Sequence, residues 1–326
     1  MSTFIRNTRH RPISRFFVPL FVASLLVASP AVAGCKGDVA VQILGSGGPI
    51  ANSSRASSGY LVWIKGEARL LVDAGGGTFA RFGEAGAHVD SLDAILLTHL
   101  HVDHSVELPA YLKSAWFSDR KRNLQLVGPS ASGAFPAIDD FLNALIGPTQ
   151  GAYRYLSGYL TDGAGYFPLK TRTVAHDSDK PVIVLDNDEL RVSAIGVRHG
   201  PVPALGYLVE SGGHKIAFSG DQNGNNPAFA KMIESADVLI MDHAIPEKAD
   251  RIAANLHARP SEIAKLATDA KVGRLVLSHI MPRSESQLKA SQSLISATYT
   301  GPIIVAEDMM CIDLERILKP HDHSSQ

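Results

Sequence analysis

The stretch that decides the fold is "AILLTHLHVDHSVELPAYL", residues 94–112. It sets three histidines and an aspartate, His99, His101, His104 and Asp103, into six positions directly behind an apolar run. The run reads as a buried strand, and in an extended chain residues two apart point to the same side. His99 and His101 can therefore face one cation together. Asp103 and His104 follow where the chain turns into a helix, so their side chains diverge and can serve a second cation. Unpaired in a half-buried site, such groups would be costly to desolvate. A divalent metal removes that cost.

One cluster does not complete two sites, and isolated candidates stand at the ends of other strand-like runs. His199 closes "LRVSAIGVRH", Asp221 closes "HKIAFSGD" and His279 closes "RLVLSH". Further short apolar runs, "VAVQILG", "GYLVWI", "ARLLVDAG", "PVIVLD" and "GYLVE", also read as strands, with "SGG" at 211–213 as a hairpin turn. "NPAFAKMIESA", "PSEIAKLATDA" and "SESQLKASQSLISA" read as helices between short buried strands. Strands first and β/α alternation afterwards, in both halves, implies sheets packed together with helices outside.

The chain has 326 residues, 45% of them hydrophobic, enough for a sizeable core. Residues 1–34 differ in kind. Arg6, Arg9, Arg11 and Arg15 precede the apolar core "FFVPLFVASLLVA" and the small residues "SPAVAG", the layout of a secretory signal peptide. We therefore expect a leader over 1–34, a single domain over 35–326, and an exported protein of the periplasm or envelope. Without the leader, Lys+Arg falls from 31 to 27 against 32 Asp+Glu, a net charge near −5. Affinity for nucleic acid comes largely from neutralised phosphates, so a nucleic-acid substrate is not expected. The two cysteines leave alternatives open. "VAGC" resembles a bacterial lipobox and would put a lipid, the chain's one link to a membrane, on Cys35; an oxidising compartment also permits a Cys35–Cys311 disulfide. Of the two, the lipid is slightly preferred.

"HLHVDH" over 99–104, the later His199, "SGD" over 219–221 and "SH" over 278–279 together resemble the metallo-β-lactamase superfamily. The resemblance covers nearly the whole chain after the leader and implies a four-layer αββα sandwich. It implies His99, His101 and His199 as ligands of a first metal, Asp103, His104 and His279 of a second, and Asp221 as the bridge. Zinc is the expected occupant, with iron or manganese as alternatives. Asp73, in "LLVDAG", resembles the aspartate that orients the histidine-rich loop. Two divalent cations about 3.5–4 Å apart make hydroxide from water at neutral pH, with Asp103 holding the attacking water. His257, in "NLHARPSEIA", resembles a proton donor to the leaving oxygen.

Within the superfamily, His257, Asp221 and "GYLVE" resemble the ribonuclease Z-like group. "YRYLSGYL" and "AEDMMCIDL" resemble its exported arylsulfatase-type members. The gap from His199 to Asp221 has no room for a tRNA-gripping arm. The expected substrate is thus a small-molecule ester. Aryl sulfate or a related ester ranks first, a cyclic nucleotide or other small phosphodiester next; a lactone and a non-enzymatic metal-binding envelope protein are further alternatives. Trp116, Phe117, Tyr153, Tyr155 and Tyr159 form an aromatic-rich neighbourhood that reads as a pocket wall, core packing or the face of a homodimer. Asp242 and His243 are left open between contacts behind the ligands and ordinary core-edge polar residues.

Overall fold

A computed structural model of the chain describes residue 35 and residues 37–317, apart from positions 52, 53, 162 and 164. The expected leader, 1–34, lies outside the described residues. The first six strands are β1 (Val39–Gly45), β2 (Gly59–Ile64), β3 (Glu67–Val72), β4 (Ala94–Leu96), β5 (Leu124–Pro129) and β6 (Leu169–Val174). The next seven, β7 (Val182–Asp186), β8 (Arg191–His199), β9 (Val202–Ser211), β10 (His214–Phe218), β11 (Val238–Asp242), β12 (Leu275–Ser278) and β13 (Ile303–Val305), form the second sheet. A last short strand, β14 (Cys311–Asp313), returns to the first sheet beside β1. The sheet orders are β14-β1-β2-β3-β4-β5-β6 and β13-β12-β11-β10-β9-β8-β7. Each sheet is antiparallel through its hairpins and parallel where helices intervene. The reason is connectivity: a two-residue turn reverses the chain, whereas a parallel neighbour needs a crossover.

The strands alternate their apolar residues between two cores. Val39, Val41 and Ile43 of β1 face the second sheet, together with Val192, Ile216 and Val238. Ala40 and Leu44 face outward, against Phe82, Leu108 and Leu112 of the helices Thr78–Glu84 and Leu108–Ala115. On the far side, Phe229, Ile263 and Ile295 of three helices cover the outer face of the second sheet. This is the expected αββα sandwich. Strands covered on both faces are apolar on both faces, hence their continuous runs. The "SGG" turn joins β9 to β10, and Gly212 (φ 58°) and Gly213 (φ 82°) supply the two left-handed positions of a tight hairpin.

Cys35 and Cys311 are joined as a disulfide, with Cα atoms 5.4 Å apart. This corrects the preference for a lipid on Cys35, because the sulfur is already bonded. The physical reason is the pairing of β14 with β1, which carries Cys311 back beside the start of the sheet. The bridge spans a sequence separation of 276 residues. Closing so long a loop constrains the unfolded chain, so Cys311→Ser should cost about 2–4 kcal/mol of stability. Thermal melts of the wild type with and without reductant, compared with the variant, check this. Coincident melts of all three would remove the bridge from the account.

Candidate metal centre

Six strands deliver polar residues to one edge of the sandwich. Asp73 follows β3, His99 follows β4, His199 ends β8, Asp221 follows β10, Asp242 ends β11 and His279 follows β12. Carboxyl ends of strands are where α/β folds place ligands. The backbone is bent to do so. Asp73 (φ 60°) and His279 (φ 53°) are left-handed without being glycine, the kind of strain that clusters at functional sites. Gly220 (φ 57°) packs against the Leu205 carbonyl, 2.6 Å from where a Cβ would stand.

The structure brings all seven expected ligands together. Donor atoms of His99, His101 and His199 lie within 4.8 Å of one another, as do those of Asp103, His104 and His279. Asp221 stands between the groups. Its Oδ2 is 4.0 Å from His99 Nε2, 3.9 Å from His199 Nε2 and 3.3 Å from His279 Nε2, and its Oδ1 is 3.6 Å from His104 Nε2. The helix Val102–Ser105 starts just after His101 and brings Asp103 and His104 to His279, with the His104 ring still 4.0 Å from that of His99.

Outward hydrogen bonds set the tautomers. His104 Nδ1 donates to Asp73 Oδ2 (2.8 Å) and His199 Nδ1 donates to the Leu256 carbonyl (2.8 Å). Both acceptors lack a proton to give, so each imidazole, when neutral, turns an Nε2 lone pair inward. Asp73 also accepts from Thr98 N–H (2.7 Å) and Thr98 Oγ1 (2.9 Å), which holds the histidine loop itself. His104 Nε2 is buried with no hydrogen-bond partner, and so is His279 Nδ1. An unpartnered, buried nitrogen between two carboxylates fits a cation, as does the donor set of imidazoles and carboxylates.

Charge states point the same way. Burial alone would lower His104, yet Asp221, Asp73 and Asp103 raise it well above the usual histidine range. Burial would raise Asp103 and Asp221, but neighbouring imidazoles hold both below the ordinary carboxylate range, His104 leading for Asp103 and His279 for Asp221. By contrast, burial lowers His99 well below its usual value and pushes His199 down to about 4. In the metal-free protein, therefore, a proton on His104 stands where a cation would sit. Because the raised group keeps that proton to higher pH, metal competes better as pH rises. We expect affinity at the Asp103–His104–His279 group to increase as pH rises, with release of a proton. Calorimetry in buffers of different ionisation enthalpy measures the proton count, and a pH-independent affinity would contradict the assignment.

His257 lies beside this cluster, its ring 5.2 Å from that of His199 and 5.7 Å from that of His279. Its Nδ1 donates to Asp242 Oδ2 at 3.0 Å. Asp242, left undecided from sequence, is thus a partner of His257; its place at the end of an apolar strand, like the ligands, was the available signal. His243 is buried with neither ring nitrogen bonded, and nothing in the structure explains it. The aromatic neighbourhood divides. Tyr159 is core, donating to the Leu112 carbonyl (2.8 Å), while Trp116, Phe117 and Tyr155 surround Lys113 Nζ at 4.3, 4.6 and 5.8 Å. Among the described residues, the non-histidine ring that meets a candidate ligand is Phe135, 5.9 Å from His101. No periodicity or motif singled it out.

Known proteins resemble this chain. The profile of the family described as Anti-Pycsar protein Apyc1 matches residues 39–296. A ribonuclease Z of Mycobacterium bovis is 27% identical over 298 residues, covering 84% of this chain and 98% of that protein. The human tRNase Z, short form, superposes with a TM-score of 0.63 at 22% identity, over 84% of this chain and 99% of its own. YhfI of Bacillus subtilis, a metallo-β-lactamase fold protein, gives a TM-score of 0.63 at 20% identity over 84% and 99%. The ribonuclease relatives overturn the expectation that nucleic acid is no partner. That expectation rested on charge summed over the chain, on the leader and on the short gap from His199 to Asp221, whereas the field at a site is set locally, bound cations included. The chain belongs to the family described as Anti-Pycsar protein Apyc1, within the ribonuclease Z-like branch of the metallo-β-lactamase-fold hydrolases.

Proposed function

We propose that this chain is a two-metal phosphodiesterase acting on a nucleotide or RNA phosphodiester. The observation that carries the reading is a carboxylate, Asp221, set among imidazoles of two ligand groups, with the His257–Asp242 pair at their edge. His99, His101 and His199 would hold one cation and Asp103, His104 and His279 the other, with Asp221 shared and zinc the occupant. When bound, such a pair acidifies a water and polarises the substrate's oxygens. Asp103, ionised through its contacts with His104 and His279, accepts a hydrogen bond from the attacking water. Asp242 fixes the His257 ring through Nδ1, so that Nε2 is the atom that delivers a proton to the leaving oxygen. The ribonuclease relatives support a phosphodiester. The Cys35–Cys311 bridge supports a disulfide-permissive compartment.

The test is a set of initial rates with zinc-loaded protein on a cyclic nucleotide, an RNA with a 3′ extension, an aryl phosphodiester and an aryl sulfate. The Asp221→Ala protein is the blank. We expect at least one phosphodiester to be cleaved above the blank. Cleavage of aryl sulfate alone would restore the ester ranked first from sequence, and no rate on any of the four would defeat the reading.

A further inference from the structure

Six of the seven candidate ligands are buried; His101 alone is half-exposed. The open side of the site is therefore the side on which His101 meets solvent, and there its ring meets Phe135 at a centroid distance of 5.9 Å and an interplanar angle of 62°. Phe135 is half-buried, yet it belongs to none of the apolar clusters that make the core of the described residues. Packing does not account for a phenylalanine at this place.

The segment that carries it is nevertheless well held. Ser132 N–H donates to the Phe135 carbonyl (3.1 Å) and Phe135 N–H to the Ser132 carbonyl (2.9 Å), closing a tight turn. At its root, Ser130 N–H donates to the Val174 carbonyl (2.8 Å), and Ser130 Oγ lies 2.8 Å from His176 Nδ1. His176 N–H in turn donates to Ser130 Oγ (3.2 Å). The His176 backbone packs over Gly196 of β8, with no room there for a Cβ, and β8 ends in the ligand His199. The segment that carries the ring is thus braced against the same strand that supplies a ligand. A rigid aromatic ring at the mouth of a polar site is the usual means of gripping a flat group at little entropic cost.

We propose that Phe135 is a specificity-determining residue, the surface on which a planar ring of the substrate stacks while its phosphate lies over the ligand cluster. The inference rests on the phosphodiesterase reading and narrows its substrate to one bearing a nucleobase or an aryl ring next to the phosphate. The test uses the zinc-loaded protein and three product-like probes, a nucleoside 5′-monophosphate, phenyl phosphate and ribose 5-phosphate, with dissociation constants from calorimetry. The wild type should bind at least one ring-bearing probe more tightly than ribose 5-phosphate. Base–aromatic stacking is worth about 5- to 150-fold by alanine substitution, so Phe135→Ala should shrink that ratio by about this factor. Phe135→Trp should keep the ratio, and zinc content and melting temperature of both variants report whether the site stayed intact. Whichever ring-bearing probe loses more identifies the ring as base or aryl. A wild type with no preference for a ring, or a ratio unchanged in Phe135→Ala, overturns the inference. Phosphodiester cleavage with an unchanged ratio would leave the phosphodiesterase reading standing without it. A Phe135-dependent ratio without any phosphodiester cleavage would do the reverse.

Discussion

Asp221→Ala is expected to bind zinc weakly at both groups and to lose at least about a thousandfold in turnover. The Asp221 carboxylate reaches into both ligand groups. Its carboxylate oxygens lie 3.3 Å from His279, 3.6 Å from His104, 3.8 Å from His257, 3.9 Å from His199 and 4.0 Å from His99. Removing it takes away the negative charge on which both groups draw and leaves neutral imidazoles facing one another across a buried space. A nearby opposite charge is what favours a cation there. Metal analysis after dialysis should find well under two zinc per chain, and Asp221→Asn, which keeps the shape and loses the charge, should resemble the alanine variant. Two retained zinc ions with turnover within about tenfold of wild type would remove Asp221 from the centre of the site.

His257→Ala should lower turnover by about 10²–10⁴-fold with the zinc content unchanged. The ring is outside the two ligand triads and is held by Asp242, so its removal spares the ligands and deletes the proton donor. Asp242→Ala should produce a similar but smaller loss by freeing the ring, and the double variant should be little worse than His257→Ala, since residues that act as a unit are not additive. Burial pushes Asp242 up to about 6 in the metal-free protein, although the hydrogen bond from His257 works against it. The folded value lies above the ordinary 3.8, so the neutral form is favoured by folding, and stability is lost as pH rises through about 6. Asp242→Asn should therefore raise the melting temperature of the metal-free protein at neutral pH while lowering turnover. A gain in stability bought with activity is what a strained functional carboxylate predicts. Additive losses in the double variant, or a fall in zinc content with His257→Ala, would place His257 among the ligands instead.

Much of this site was legible in the chain because its chemistry is locally encoded. The spacing of His99 and His101 on an extended segment, and the break to a helix before Asp103 and His104, are short-range consequences of strand and helix geometry. His199, Asp221 and His279 could be found because each ends an apolar run. Asp242 ends one too, but a strand-end carboxylate has no assigned role until its partner is known, and that partner, His257, is fifteen residues away. The lipid preference for Cys35 failed for a related reason: "VAGC" is a local pattern, while the disulfide depends on β14 pairing with β1 across the whole chain. The exclusion of nucleic acid failed because neither total charge nor the length of one gap is a property of the site itself.

By itself, then, the sequence determined which residues can bind cations, that they stand at strand ends, and that apolar strands must be stacked in layers under outer helices. Side-chain type, periodicity and turn residues act over a few positions, and those rules need no neighbour from elsewhere in the chain. Only the tertiary structure decided that Asp242 holds His257, that the Leu256 carbonyl sets the tautomer of His199, and that Phe135 faces His101. Those contacts join segments far apart in sequence, and they exist because the order of strands in two sheets brings one set of carboxyl ends to one edge.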